Sequence, residues 1–207
     1  MDVARPYAAL CPTLDSDVLN VLAGTSRSLT GREVARLIGR KSHSGVLDVL
    51  SRLSEHGLVD RQEAGKAYLY TLNRDHLAAP AVVVLAGMRT ELLARLRHAI
   101  ADWDLPPVHV SLFGSVARGE GDATSDVDLF VVRPDDIAED DARWRGQIDD
   151  LAAQVVRWTG NHASIAEAAN AETNRLRKDR PPIVAELGAD AIVLSGNALA
   201  SLLGAGR

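Results

Sequence analysis

The stretch LFGSVARGEGDATSDVDLFVV at residues 112–132 carries the side chains best suited to chemistry. Two apolar runs of strand composition enclose Gly114-Ser115 after the first run and Asp126-x-Asp128 at the start of the second. Side chains alternate along a strand that rises about 3.3 Å per residue, so both carboxylates point to one face, about 7 Å apart along the strand. Such oxygen ligands suit Mg²⁺, which completes its shell with water and substrate phosphates. A Gly-Ser at a helix start offers amides and a hydroxyl to phosphate, so the pattern predicts a site for a nucleoside triphosphate with a divalent cation.

The segment GSVARGEGDATSDVDL resembles the G-S-x-A-R-G…S-D-x-D-L signature of the polymerase-β-type nucleotidyltransferase superfamily, in its minimal bacterial form. Six elements match at the spacing of the family. The resemblance spans about residues 106–200, and it implies a small mixed sheet with helices packed on it.

The resemblance also implies roles for individual residues. The residues that it assigns to the nucleotide are Gly114, Ser115, Arg118 and Ser125. Of these, Arg118 and Ser125 brace the loop rather than take part in chemistry. Asp126 and Asp128 are implied as the catalytic carboxylates that bind Mg²⁺, with Mn²⁺ as the alternative ion.

Active members of the family carry a third carboxylate on a later strand, where it helps the second metal and acts as general base. Here that strand is expected in NHASIAEAANAE, and the acid is expected near Ser164. Glu167 is the nearest carboxylate, although alternation makes it face opposite to Ser164. Either Glu167 substitutes through a shifted register or the third acid is absent. In the second case nucleotide binding survives, while transfer falls by about 10²–10⁴-fold.

The first 80 residues predict three short helices followed by a β-hairpin. Apolar residues recur at helical spacing in three segments, 15–23, 30–39 and 45–57. Thr30 and Glu33 have the spacing of a capping box, and Ala64-Gly65 between two strand-like runs is a hairpin signal. This layout resembles the winged helix-turn-helix domains of bacterial regulators over about residues 10–75. The resemblance implies that the third helix enters the major groove of double-stranded DNA and that the hairpin reaches a phosphate.

The candidate DNA contacts lie at the start of the third helix, on its exposed face and in the hairpin: Arg40, Lys41, Ser42, His43, Ser44, Arg52, Arg61 and Lys66. Cationic side chains and helix N-terminal amides suit phosphate oxygens. Residues 1–80 carry 10 Lys/Arg against 9 Asp/Glu, whereas residues 81–207 carry 13 against 19. The open alternative is a winged helix that serves only protein interaction or dimerisation, because Asp48 and Glu55 share the exposed face with Arg52 and would repel phosphate.

The composition excludes several classes of protein. Hydrophobic residues make up 46% and charged residues 25%, the balance of an ordinary globular protein. The single cysteine, Cys11, excludes a disulfide framework within the chain, and no Cys/His spacing resembles a zinc site. No run reaches the roughly 18 apolar residues of a membrane span, and the N-terminus lacks the pattern of a signal peptide. We therefore expect a cytoplasmic protein without a membrane partner.

The sequence thus predicts an α+β protein in three parts. Residues 1–79 form the winged helix-turn-helix, residues 80–105 a linker helix, and residues 106–207 a nucleotidyltransferase-fold mixed α/β domain. The linker belongs to one amphipathic helix predicted over 78–100, which either packs on a neighbouring domain or forms a homodimer contact.

Two functions agree with this organisation. The leading hypothesis is a dimeric DNA-binding transcriptional regulator whose nucleotidyltransferase-like domain binds an NTP with Mg²⁺ as a sensor. The alternative is an active nucleotidyltransferase that transfers NMP from an NTP to a protein or small-molecule hydroxyl, as do antitoxins and antibiotic-modifying enzymes of this superfamily. A pure interaction scaffold is a third option, against which the intact Gly-Ser and Asp-x-Asp argue.

Overall fold

The computed structural model describes residues 1–39 and 42–204. The chain divides into two compact units. The N-terminal unit comprises 4–89 with Asp2, and the C-terminal unit comprises 90–204 with Met1 and Val3. Two of the candidate DNA contacts, Arg40 and Lys41, lie outside the described residues. Within the described ranges, no helix is both long enough and apolar enough to cross a membrane.

The N-terminal unit combines helices with a small antiparallel sheet. Its described helices are α1 (Leu14–Ala23), α2 (Gly31–Ile38), α3 (His43–Glu55) and α4 (Ala79–Ala86). Its strands are β1 (Leu29–Thr30), β2 (Val59–Ala64) and β3 (Ala67–Leu72), in the order β1-β3-β2. The core predicted from the helical spacing is confirmed at four positions, which are fully buried or nearly so: Val18, Leu22, Val34 and Leu50. Leu37 and Leu47 also fit that spacing, but they remain exposed.

Local signals account for most boundaries of this unit. The Thr30 hydroxyl accepts a hydrogen bond from the backbone N–H of Glu33, and the Glu33 carboxylate accepts one from the backbone N–H of Thr30. The predicted capping box is therefore confirmed. Gly65 turns the β2–β3 hairpin with φ +64°, a conformation that costs glycine little.

The single helix predicted over 78–100 is wrong. The structure breaks it at Gly87, which has φ −83° and ψ 4° between α4 and α5 (Met88–Ala101). Val82 packs in the core of the N-terminal unit, whereas Leu92 packs in the core of the C-terminal unit. Val84, predicted on the shared apolar face, is 71% exposed. Because glycine costs a helix about 1 kcal/mol relative to alanine and each half buries its own face, the repeat does not hold one helix together.

The C-terminal unit is a four-stranded mixed sheet with helices on both faces. Its strands are β4 (His109–Phe113), β5 (Val127–Arg133), β6 (Ala163–Ala169) and β7 (Ile192–Gly196), in the order β6-β5-β4-β7. Its further helices are α6 (Gly114–Arg118), α7 (Ala142–Thr159), α8 (Thr173–Asp179), α9 (Pro182–Asp190) and α10 (Leu199–Leu203). β4 runs antiparallel to β5 and β7, and β5 runs parallel to β6. The predicted α+β class is confirmed.

The two faces of this sheet pack against separate cores. The alternation of side chains along each strand decides which face carries the candidate site. Leu112 and Leu129 pack with Trp144 of α7 and with residues of α5 on one face. Phe113 and Phe130 pack with Leu187 of α9 and with residues of α10 on the other. Successive side chains of a strand point to opposite faces, so Asp128 shares the second face with Phe130. The acidic residue of β5 therefore lies on the face that carries α9.

Candidate active site

The turn after β4 approaches the acidic strand very closely. In the β4–β5 ladder Phe113 lies opposite Asp128, and Gly114 follows with φ +73°. A Cβ at position 114 would lie 2.5 Å from Oδ2 of Asp128. The positive φ favours glycine, and a Cβ at this position would force the Asp128 carboxylate to move. The glycine of the Gly-Ser turn and the second aspartate thus form one packed pair.

The two aspartates of the Asp-x-Asp lie on the same side of β5. Asp126 is exposed immediately before the strand, Asp128 is half-buried within it, and Val127 between them is buried in the core of the opposite face. Phe130, two residues further on, packs beside α9. This is the alternation expected of two carboxylates that serve one site.

The surroundings of Asp128 are strongly negative. Burial raises the pKa of its carboxyl above the ordinary value. The neighbouring carboxylates that add to this rise are Asp126, Glu186 and Asp190. Arg118 acts in the opposite direction. The site therefore holds negative charge that a bound cation would compensate.

The donor set fits a hard divalent cation. Asp126 and Asp128 supply carboxylate oxygens, the ligand type that Mg²⁺ prefers. Among residues 1–39 and 42–204, no group of three or more His, Cys, Asp or Glu is placed to hold an ion by itself. Water and substrate phosphate oxygens would have to complete the shell, which is how Mg²⁺ is held at nucleotide sites.

The loop before β5 is braced from two directions. The backbone N–H of Asp122 donates to the Ser125 hydroxyl at 2.9 Å. Asn161, 4% exposed, donates its side-chain amide to the carbonyls of Asp122 at 3.0 Å and Ser125 at 2.6 Å. Asn161 was missed by sequence reasoning, since a lone Asn after a glycine turn shows no sign of a partner some 36 residues away.

A second residue missed from the sequence reaches the Gly-Ser turn from α9. The Gly114 N–H donates to Oδ1 of Asp190 at 3.3 Å, and the Arg118 guanidinium donates to Oδ2 of the same carboxylate. Arg118 also pairs with Glu120 at 2.7 Å. The C-terminal segment, to which the sequence analysis assigns no candidate residue, therefore contributes a carboxylate to the candidate site.

The position that the third carboxylate would take is occupied by Ser164. In the parallel β5–β6 ladder Ser164 lies directly opposite Asp128, and Glu167 lies opposite Val131. No shifted register brings Glu167 to the aspartates. Its carboxylate instead accepts hydrogen bonds on the other side of the sheet, from Arg133 Nε at 2.9 Å, Trp144 Nε1 at 2.9 Å and the Arg145 guanidinium.

Residues 93–169 match the family model of the nucleotidyltransferase domain. The match runs from α5 to the end of β6 and includes the Gly-Ser turn and both aspartates, whereas Asp190 lies beyond it. It supports an NTP-using, nucleotidyltransferase-like function for this part of the chain, and domains of this family typically use an NTP with a divalent metal.

Comparison with solved structures gives one alignment at low similarity. A crystal structure described as a toxin-antitoxin with AMP-PNP aligns with a TM-score of 0.38 and 16% identity, over 54% of this chain and 81% of that chain. No curated protein matches the sequence.

The candidate DNA contacts fall into separate groups in the N-terminal unit. His43, at the start of α3, and Lys66, in the hairpin turn, line one groove of about 560 Å³ with Arg32 and Tyr68. The Arg61 guanidinium stacks 4.7 Å from the centre of the Tyr68 ring. The remaining described candidates lie on or beside α3: Ser42 and Ser44 share a hydrogen bond between their hydroxyls, and Arg52 pairs with Asp15 of α1.

The contact between Gly114 and Asp128 predicts non-additive stability. Gly114→Ala and the control Gly160→Ala both place alanine at positive φ, which costs about 1–2 kcal/mol, but position 160 has no neighbour within 4 Å of a Cβ. We expect Gly114→Ala to lose more stability. We also expect Asp128→Ala to recover at least about 1 kcal/mol of that loss in the double variant.

Urea unfolding followed by tryptophan fluorescence measures this effect. All 3 tryptophans, Trp103, Trp144 and Trp158, belong to the C-terminal unit, so their signal reports on that unit. Strictly additive losses in the double variant would show that the close contact is absent.

The contacts of Glu167 predict a structural role. Glu167→Gln leaves Arg133, whose side chain is 10% exposed, without its ionic partner. Breaking a buried pair in this way costs about 3 kcal/mol. The control Asp179→Asn breaks the exposed pair with Arg175 and should cost less than about 1 kcal/mol. Unfolding curves for the two variants check the difference, and a Glu167→Gln protein of unchanged stability that loses Mg²⁺-dependent nucleotide binding would contradict the structural role.

Proposed function

We propose that the protein is a dimeric DNA-binding transcriptional regulator, whose nucleotidyltransferase-like unit binds an NTP with Mg²⁺ as a sensor. The observation that carries this proposal is Ser164 opposite Asp128. The residues proposed to bind the nucleotide lie together, while Ser164 stands at the position proposed for the general base.

The nucleotide half of the proposal rests on the pair of Gly114 and Asp128. Gly114 and Ser115 turn the chain directly beside the acidic strand. In the proposed site they contact the triphosphate, while Asp126 and Asp128 hold Mg²⁺ through their carboxylates. The raised pKa of Asp128 supports a cation here. Without a cation, burial and the neighbouring carboxylates both disfavour its negative charge.

The proposed lack of transfer rests on the chemistry of the missing group. A serine hydroxyl does not accept a proton near neutral pH, and general base catalysis is typically worth about 10²–10⁴-fold. With Ser164 opposite Asp128, we expect the protein to bind the nucleotide and to transfer it slower by about that factor.

The DNA half of the proposal rests on the groove between α3 and the hairpin. Three helices followed by a hairpin is the layout of a winged helix, in which the third helix enters the major groove. Arg32, His43 and Lys66 line one groove here, and Arg61 lies beside it on Tyr68. The cationic groups among them, Arg32, Lys66 and Arg61, suit the phosphates of double-stranded DNA.

A homodimer is the proposed assembly of the regulator. Leu77, just before α4, has a side chain that is 97% exposed, and Val84 within α4 is 71% exposed. Exposed apolar side chains of this kind favour burial against a second copy.

An active nucleotidyltransferase is the second candidate, and one observation favours it. Glu186 and Asp190 of α9 lie close enough to Asp128 to raise its pKa. A carboxylate from α9 would then serve in place of the acid that is expected on β6.

A labelling experiment separates the two candidates. The protein is incubated with Mg²⁺ and each α-³²P-labelled NTP, and transfer of label to any acceptor is measured beside equilibrium binding. We expect binding that Asp128→Ala abolishes, without transfer. Ser164→Asp restores a carboxylate opposite Asp128, so we expect it to raise transfer by about 10²-fold or more, whereas the isosteric control Ser164→Asn does not.

The opposite result identifies the enzyme. Label transfer by the unmodified protein, abolished in Asp128→Ala, would rule out the sensor. A Ser164→Asp variant that binds nucleotide but transfers no label would show that position 164 is not the site of the base.

The groove predicts salt-dependent DNA binding. Each phosphate contact contributes about 0.9 to the slope of log K against log salt concentration. We expect Lys66→Gln to weaken binding uniformly across sequences and to reduce that slope by about 1. The control Arg74→Gln removes the same charge from the same unit at an exposed position outside the groove lining. Fluorescence anisotropy with duplex DNA at several salt concentrations measures both, and equal effects of the two variants would argue against a phosphate contact in the groove.

A further inference from the structure

One carboxylate already accepts a hydrogen bond from the Gly114 amide, which a triphosphate would use in the proposed site. Asp190 is the last residue of α9. Its Oδ1 accepts the backbone N–H of Gly114 at 3.3 Å, and its Oδ2 accepts the Arg118 guanidinium. The side chain of Asp190 is 10% exposed, so the carboxylate is held at the turn rather than free in solvent.

The arrangement is a long-range and two-pronged contact. Asp190 lies 76 residues from Gly114 and 72 from Arg118 in the chain, and each of its oxygens serves a different donor. A phosphate group can likewise offer two anionic oxygens, one to an amide and one to a guanidinium. Charge-assisted hydrogen bonds of this kind are among the stronger ones in proteins. The carboxylate of α9 therefore imitates the ligand of the proposed site.

A phosphate and this carboxylate cannot share the donors without repulsion. A backbone N–H has one hydrogen to donate, and two anions placed together repel each other strongly where water is excluded. Asp128 and Asp126 add further negative charge beside the same turn. An entering phosphate must therefore move the carboxylate away from Gly114.

We propose that Asp190 is a built-in competitor of the nucleotide, which sets the nucleotide affinity of the site because triphosphate oxygens must displace its carboxylate from the Gly114 amide. This inference rests on the proposed nucleotide site. It assigns to α9, which lies outside the matched family segment, control over the strength of binding.

A neighbouring acid provides a matched control. Glu120 is the other carboxylate on Arg118, at 2.7 Å, but its side chain is 66% exposed. Glu120→Gln removes the same charge as Asp190→Asn, so it separates a displaced contact from a general change in potential.

The test uses calorimetry on the full chain with Mg²⁺ and two probes, ATP and inorganic tripolyphosphate. Because tripolyphosphate has neither a nucleobase nor a sugar, its binding reports on the phosphate contacts alone. Asp190→Asn keeps an oxygen for the Gly114 amide but loses the charge, and we expect it to bind tripolyphosphate about tenfold more tightly than the unmodified protein, which corresponds to about 1.4 kcal/mol. The control Glu120→Gln should change the affinity less than about threefold, because exposed charges are screened.

The outcomes separate this inference from the proposed function. If the unmodified protein binds both probes and Asp190→Asn binds equally or more weakly, the competitor role is overturned while the nucleotide site stands. If neither the unmodified protein nor Asp190→Asn binds either probe, the nucleotide site is refuted and the inference with it. Tighter binding by Asp190→Asn than by both the unmodified protein and Glu120→Gln supports both, whereas an equal gain in Glu120→Gln overturns the competitor role.

A measurement on the unmodified protein keeps the test independent of variant folding. In a ¹⁵N-labelled sample, displacement of Asp190 changes the hydrogen-bond partner of the Gly114 amide. We expect the Gly114 resonance to shift on titration with Mg²⁺ and tripolyphosphate. A Gly114 resonance that stays in place at saturation would overturn the proposal, whatever the stability of Asp190→Asn.

Discussion

The candidate site depends on the approach of Gly114 to Asp128. The antiparallel pairing of β4 with β5 places the end of one strand opposite the aspartate of the other, and the turn that follows passes where a Cβ would lie 2.5 Å from the carboxylate. Only glycine combines this approach with φ +73° at little cost. One sheet register therefore sets the position of the Gly-Ser turn relative to the carboxylate of Asp128.

The charges around this pair are mostly negative. Carboxylates from β5 and from α9 surround Asp128, and Arg118 is the cation that acts against them. A triphosphate would add negative charge to a site that already carries an excess. In the proposed site, a nucleotide that arrives with a divalent cation would bind better than a free one, because the metal would compensate both sets of anions. The proposed competition by Asp190 has a separate basis, its hydrogen bonds to Gly114 and Arg118.

Much of the fold could be predicted from the sequence, because its signals are local. The capping box at Thr30, the turn at Gly65 and the alternation in β5 depend on a few neighbouring residues. Local rules failed where two cores compete for one segment. The repeat over 78–100 looks like one helix, yet Gly87 ends the first half, and each half buries its apolar residues in a different unit.

The sequence by itself determined which residues could bind a nucleotide, since Gly114-Ser115 and Asp126-x-Asp128 are short patterns whose chemistry follows from residue type and strand alternation. It also placed Ser164 where an acid would be expected. The tertiary structure alone decided the rest. The parallel register of β5 and β6 fixed Glu167 on the far face, beside Arg133, and the packing of α9 brought Asp190 to the turn. Such partners lie tens of residues apart in the chain, and only the packing of sheets and helices brings them within hydrogen-bond distance.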